Sequence, residues 1–136
     1  MPAILLIEDD PISIFVAMKA IKMVNSFQDI KACKSGIEAL EYLNLKATKG
    51  ELAPELVIFD INLPGINGYE FYTRFQKLPF QNLSKVIFCV ATNSTYQDDM
   101  DKFSTMGIHE YINKPLTKER IEAVYEKYFK RGVGKV

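Results

Sequence analysis

The sequence predicts a single α/β domain built on a five-stranded parallel sheet with helices on both faces. Three observations carry that expectation. Short apolar runs of strand length alternate with stretches whose apolar residues recur at helical spacing. The strand runs are apolar almost throughout, as strands buried on both faces should be. Capping and turn residues separate the two kinds of segment. Strands joined through helical crossovers lie parallel, and right-handed crossovers leave few topologies.

Each element has its own reason. Ala3 to Ile7 is a continuous apolar strand. Asp10-Pro11 opens the first helix, because Asp caps free amides and Pro is preset for the first helical position. Ile14, Phe15, Met18, Ile21 and Met23 recur at helical spacing to about Asn25 and are expected to form its buried face. Asp29 to Cys33 is a short strand. Ser35-Gly36-Ile37-Glu38 is a capping box, opening a helix with Ile37, Leu40 and Leu43 on one face. Lys46 to Pro54 reads as a loop and Leu56 to Phe59 as the third strand. Pro64, Gly65 and Gly68 break the chain before a helix from about Tyr69 to Gln76. Val86 to Val90 is the fourth strand. A helix from about Tyr96 to Met106 ends on Gly107 as its cap. Glu110 to Ile112 is the fifth strand. Thr117 caps a last helix carrying Ile121, Val124, Tyr125 and Tyr128. Residues 1–130 are expected to form the domain, and 131–136 a polar tail with no output domain attached.

Composition narrows the function. The chain is 48% hydrophobic, and its 17 basic residues balance 17 acidic ones. A nucleic-acid binder usually carries a basic excess, so no nucleic-acid role is expected. No run approaches the roughly 20 apolar residues of a membrane span, and the start lacks the form of a signal peptide. A cytoplasmic protein is expected, with Cys33 and Cys89 as reduced core thiols. Phe15, Phe71 and Phe75 read as core. His109, the single histidine, reads as an exposed loop residue.

In an open α/β sheet, ligands bind beyond the carboxyl ends of the strands. There the chain places Glu8-Asp9-Asp10, Asp60, Ala91-Thr92-Asn93 and Asn113-Lys114-Pro115. Asp60 directly follows four apolar residues, and a buried carboxylate needs a partner or a cation. Neighbouring first and third strands would gather the acids into a cluster suited to magnesium, which prefers oxygen ligands. Asp10 is better used as the helix cap, leaving Glu8 and Asp9 for the ion. With Thr92 and Lys114 this makes a phosphoryl-transfer site. Asp60 is the nucleophile on offer, since no Cys or His stands at a strand end.

The stretches ILLIEDDP, VIFDINLPGINGYEF, VATNS and YINKPL occur in an order and spacing that resemble the receiver domain of two-component response regulators, over essentially the whole chain. The resemblance implies a flavodoxin-like (βα)5 sheet of order 2-1-3-4-5, in the stand-alone form of the chemotaxis receivers. It implies that Asp60 is the phosphoacceptor, working with Thr92 and Lys114. Magnesium, or manganese in its place, would be held by Glu8, Asp9, Asp60 and the backbone carbonyl of Asn62. Thr92 and Tyr111 would be the switch pair, and Lys114-Pro115 a cis peptide. Asn62 and Ser94 would tune hydrolysis of the phosphoryl group. The protein would be a signalling phosphoacceptor rather than an enzyme, catalysing its own phosphoryl transfer and dephosphorylation. The donor would be a sensor histidine kinase or a histidine phosphotransfer protein. The output would be a target protein or a second copy, engaged through the helix from Tyr96, the fifth strand and the last helix.

Three other readings are weaker. A haloacid-dehalogenase-type phosphatase places its nucleophile in an Asp-x-Asp motif on the first strand, whereas here Asp60-Ile61-Asn62 follows the third. A degenerate receiver that only binds proteins would usually lack an acid, the Thr or the Lys. A flavin-binding fold would need a phosphate-cradling loop where this chain puts acids.

Overall fold

A computed structural model describes residues 1–93 and 105–130. Most of the expected helix from Tyr96 to Met106, Ser94, and the tail 131–136 lie outside the described residues. The elements in order are β1 (Ala3–Ile7), α1 (Pro11–Val24), β2 (Gln28–Cys33), α2 (Gly36–Thr48), β3 (Leu56–Asp60) and α3 (Gly68–Phe75), then a 3-10 turn (Leu83–Lys85), β4 (Ile87–Thr92), β5 (Glu110–Asn113) and α4 (Lys118–Tyr128). All neighbouring strands pair in parallel, in the order β2-β1-β3-β4-β5. This is the expected flavodoxin-like sheet.

The helix starts follow from short side chains that accept backbone amides. Asp10 accepts the Ser13 amide at 2.8 Å, which commits it to capping α1. Ser35 accepts the Glu38 amide at 3.1 Å, and Glu38 reaches back to the Lys34 amide at 2.8 Å. Thr117 accepts the Arg120 amide at 3.2 Å. A fourth cap is Asn67, which accepts the Glu70 amide at 2.9 Å, so α3 begins at Gly68, one residue before its expected start.

Successive strand residues face opposite sides of the sheet. Leu5, Ile7, Val57, Phe59, Phe88 and Val90 pack on one side with Leu43, Phe71 and Phe75 from α2 and α3. Ile4, Leu6, Leu56, Ile58, Cys89, Ala91 and Ile112 pack on the other with Ala17, Ile21, Ile121 and Val124 from α1 and α4. Cys33 and Cys89 are buried free thiols, and burial raises the Cys33 pKa to about 11.

Two expected helix faces are corrected. Phe15 was expected in the core but is 68% exposed, and Met23 is 57% exposed. α1 instead turns Ala17, Ala20 and Ile21 inward, because small side chains let it lie close on the sheet. In α2, Ile37 is 42% exposed, and Ala39 joins Leu40 and Leu43 in the core. Apolar residues alone overstated both faces, since alanine carries little periodic signal yet packs best at close range.

Candidate functional site

Strand periodicity builds the site. Carrying the alternation of Ile4 and Leu6 one step past β1 brings Glu8 to the α1 and α4 side. The same step takes Leu56 and Ile58 to Asp60, and Ile112 to Lys114. The register sets Ile7 beside Phe59, Asp60 beside Ala91 and Thr92 beside Asn113, so Glu8, Asp60 and Lys114 meet at one end of the sheet. That end lies where β1 and β3 send their crossovers to opposite sides, the usual position of a crevice in this kind of sheet.

The Lys114 ammonium donates to Oε1 of Glu8 and to Oδ2 of Asp60. All three side chains are nearly closed to solvent, Glu8 most of all at 6% exposure. Burial acts to lower the Lys114 pKa, but the hydrogen bonds and charges of Asp60 and Glu8 outweigh it and raise the pKa above the usual lysine value. The remaining carboxylate oxygens are also engaged. Oδ1 of Asp60 accepts the Asn62 amide at 3.0 Å, and Oε2 of Glu8 accepts the Asp10 amide at 3.1 Å. The buried Asp60 posed by the sequence is therefore a paired one.

The other expected residues fall around this pair. Asp9 has the opposite alternation from Glu8 and is exposed. Asn62 is exposed two residues past Asp60, and Ser94 lies outside the described residues. Thr92 ends β4 and is 5% exposed, and its carbonyl accepts the Lys114 amide at 3.1 Å. Tyr111 is half-buried in β5, and Lys114-Pro115 is cis as expected. His109 is exposed, yet its Nδ1 accepts the Phe88 amide at 3.1 Å, a sheet-edge role that a loop reading misses.

A metal is not preformed into a cage. Among the described residues, no three Asp, Glu, His or Cys side chains stand close enough together to hold an ion. The donor chemistry nonetheless fits a hard divalent cation. Glu8 and Asp60 bring two nearly enclosed carboxylates to one ammonium, and Asp9, next in sequence to Glu8, adds a third oxygen donor group.

Two features escaped the sequence reading. One is Gly68, whose amide donates to the Ile61 carbonyl at 2.9 Å and where a Cβ would fall 2.8 Å from the Asp60 carbonyl oxygen. The other is Arg120, whose Nη1 donates to the carbonyls of Asn113 and Pro115 at 3.1 and 2.8 Å. The breaker reading of Gly68 was a partial signal for the first. No local pattern signals the second.

The family model described as the response regulator receiver domain matches residues 4–126. The chain is 28% identical, over 90% of its length and 78% of the relative's, to a probable methanogenesis regulatory protein, FilR2, of Methanothrix harundinacea. It spans about half the length, or less, of several other curated relatives it matches. Among solved structures, a two-component response regulator from Cytophaga hutchinsonii superposes with a TM-score of 0.82 at 32% identity, covering 94% of this chain and 96% of that one. The receiver domain of the sensor histidine kinase PA1611 from Pseudomonas aeruginosa PAO1, solved with magnesium in its active-site cleft, shares the fold. Its TM-score is 0.73 at 19% identity, over 93% of this chain and 96% of that one. The chain belongs to the response regulator receiver domain family, the phosphoacceptor modules of two-component signalling.

Proposed function

We propose that Asp60 accepts a phosphoryl group from a partner's phosphohistidine, in a magnesium-dependent reaction, and that the acyl phosphate so formed switches a protein-binding surface. The observation that carries this reading is the nearly enclosed Lys114 ammonium shared by Glu8 and Asp60 at the crevice beside Thr92. Its bond to Asp60 supports a role in pairing with an incoming phosphoryl oxygen.

An Asp60 carboxylate oxygen attacks phosphorus, forming a P–O bond as the P–N bond to the donor imidazole breaks. The imidazole leaves with the electron pair and takes up a proton. Lys114 then exchanges its bond to Asp60 for one to a phosphoryl oxygen, and the Thr92 hydroxyl donates to another. Glu8, Asp9, Asp60 and the backbone carbonyl of Asn62 would hold magnesium, or manganese in its place, which when bound neutralises charge on the transferring phosphoryl group. Return to the resting state is attack by water on phosphorus, breaking the bond to Asp60. Asn62 and Ser94 are the residues assigned to tune it, and neither brings a base.

The donor would be a sensor histidine kinase or a histidine phosphotransfer protein. α1 supports contact with such a partner, since Ile12, Phe15 and Val16 are exposed beside Leu116 near the crevice. The output would pass from Thr92 through Tyr111 to the face of β5 and α4, toward a target protein or a second copy; the expected contribution from the helix beginning at Tyr96 lies outside the described residues. Both states pre-exist, and phosphorylation shifts their populations. Residues 1–130 would be the working unit.

The test is intact mass after incubation with acetyl phosphate and magnesium. One added phosphoryl group is expected on the wild type and none on Asp60→Asn. A labile phosphoryl group on that variant at the wild-type rate would overturn the assignment.

A further inference from the structure

We infer that Arg120 is a positioning residue for Lys114, an inference that rests on the phosphoryl-pairing role given to Lys114 above. Lys114 lies in the short connection from β5 to α4, where the chain leaves the sheet. Inside the site its ammonium holds Glu8 and Asp60, and its amide holds the Thr92 carbonyl. On the outside, the carbonyls of the residues just before and just after it, Asn113 and Pro115, both accept from Nη1 of Arg120. One nitrogen thus bridges the backbone on either side of Lys114.

The reach is set by helix geometry. Arg120 sits in the first turn of α4, whose start is pinned when Thr117 accepts the Arg120 amide. α4 is itself fixed to the sheet by Ile121 and Val124, both buried. Arg120 therefore ties the connection to a packed element. Asn113 and Pro115 are exposed, so water would satisfy their carbonyls if Arg120 were lost. That substitution costs little stability but leaves the Lys114 backbone free to shift, and misplacement by about 1 Å can cost a catalytic group as much as 100-fold in rate.

Because both bonds leave a single nitrogen, the planar fork of the guanidinium is not what the loop needs. A lysine ammonium, with three donors on one nitrogen, should restore much of the function. Methionine keeps an apolar stem and helix propensity but has no donor.

The experiment compares wild type, Arg120→Met and Arg120→Lys in the full chain. With acetyl phosphate and saturating magnesium, the phosphorylation rate is expected to fall about tenfold in Arg120→Met and to recover at least half-way in Arg120→Lys. Magnesium affinity, read by calorimetry, should stay within about twofold, because no metal donor is touched. A second readout needs no phosphoryl donor. The Lys114 amide, bonded to Thr92, should exchange with solvent about tenfold faster in Arg120→Met, while the Ile7 amide in β1 does not change. Unchanged exchange at Lys114 would overturn the inference, as would equal rates in all three proteins or a Lys variant as slow as the Met variant. If the wild type took up no phosphoryl group, the proposed function would fail, and amide exchange would still decide whether Arg120 positions Lys114.

Discussion

Gly68→Ala sets two effects against each other at the first residue of α3. Alanine is the better helix former by about 1 kcal/mol in a helix interior. Against that, a Cβ at residue 68 would lie 2.8 Å from the Asp60 carbonyl oxygen and 3.1 Å from Cα of Ile61. The oxygen is roughly half an ångström too close, and neither atom is the flexible end of a side chain. Asp60 closes the central strand, paired through β3 to both β1 and β4, so it has little freedom to retreat. α3 must move instead, and it carries Phe71 and Phe75, both fully buried. Forced repacking of this kind costs about 1–3 kcal/mol, so the clash outweighs the propensity gain. Net destabilisation of up to about 2 kcal/mol is expected, a fall in Tm of up to about 8 °C for a domain of this size. Urea unfolding at constant m-value measures it, and the Asp60 phosphorylation rate should fall as well because its backbone is displaced. A Gly68→Ala protein as stable as the wild type, or more so, would refute the close-approach argument.

Other perturbations test separate parts of the site. Lys114→Met leaves two nearly closed carboxylates without their cation, and a loss of about 3 kcal/mol is expected in chemical denaturation without magnesium; a loss under about 0.5 kcal/mol would mean that the ion pair is not formed in solution. Asp9→Ala should remove metal-dependent phosphorylation, whereas Asp10→Ala should weaken only the α1 cap; equal losses of magnesium affinity would contradict the division of labour. Backbone and side-chain hydrogen bonds from Ser13 hold the Asp10 pKa below its usual 3.8, so the cap's stabilisation is full above that pH and is lost as pH falls through the lower folded value. Although the residue as a whole is exposed, partial desolvation of its ring, whose Nδ1 faces the Phe88 amide, lowers the His109 pKa from 6.5, and Glu110 opposes it. The unfolded chain then binds the proton more readily, so stability should fall as pH drops below about 6.5. His109→Gln should flatten that slope in urea midpoints, and an unchanged slope would remove His109 as its source.

The sequence by itself determined the strands, most helix starts and the chemical inventory of the site. These are local properties. Continuous apolar runs need burial on both faces, and Asp10, Ser35 and Thr117 cap amides within three residues of themselves. Motif spacing was enough to single out Glu8, Asp60, Thr92 and Lys114, because strand ends gather at one edge of a parallel sheet. What the tertiary structure alone decided is pairing across the chain. Lys114 lies 106 residues from Glu8 and 54 from Asp60, and the strand register makes Glu8, not Asp9, the acid that shares its ammonium with Asp60. Close packing was equally out of reach. Alanines 17 and 20 displaced Phe15 from the core, and Gly68 is required by a backbone from another element. Arg120 grips a loop through bonds that leave no trace in hydrophobic period. Local pattern reports what a residue can do within a turn of helix or a strand, whereas its partner depends on how distant elements register and approach.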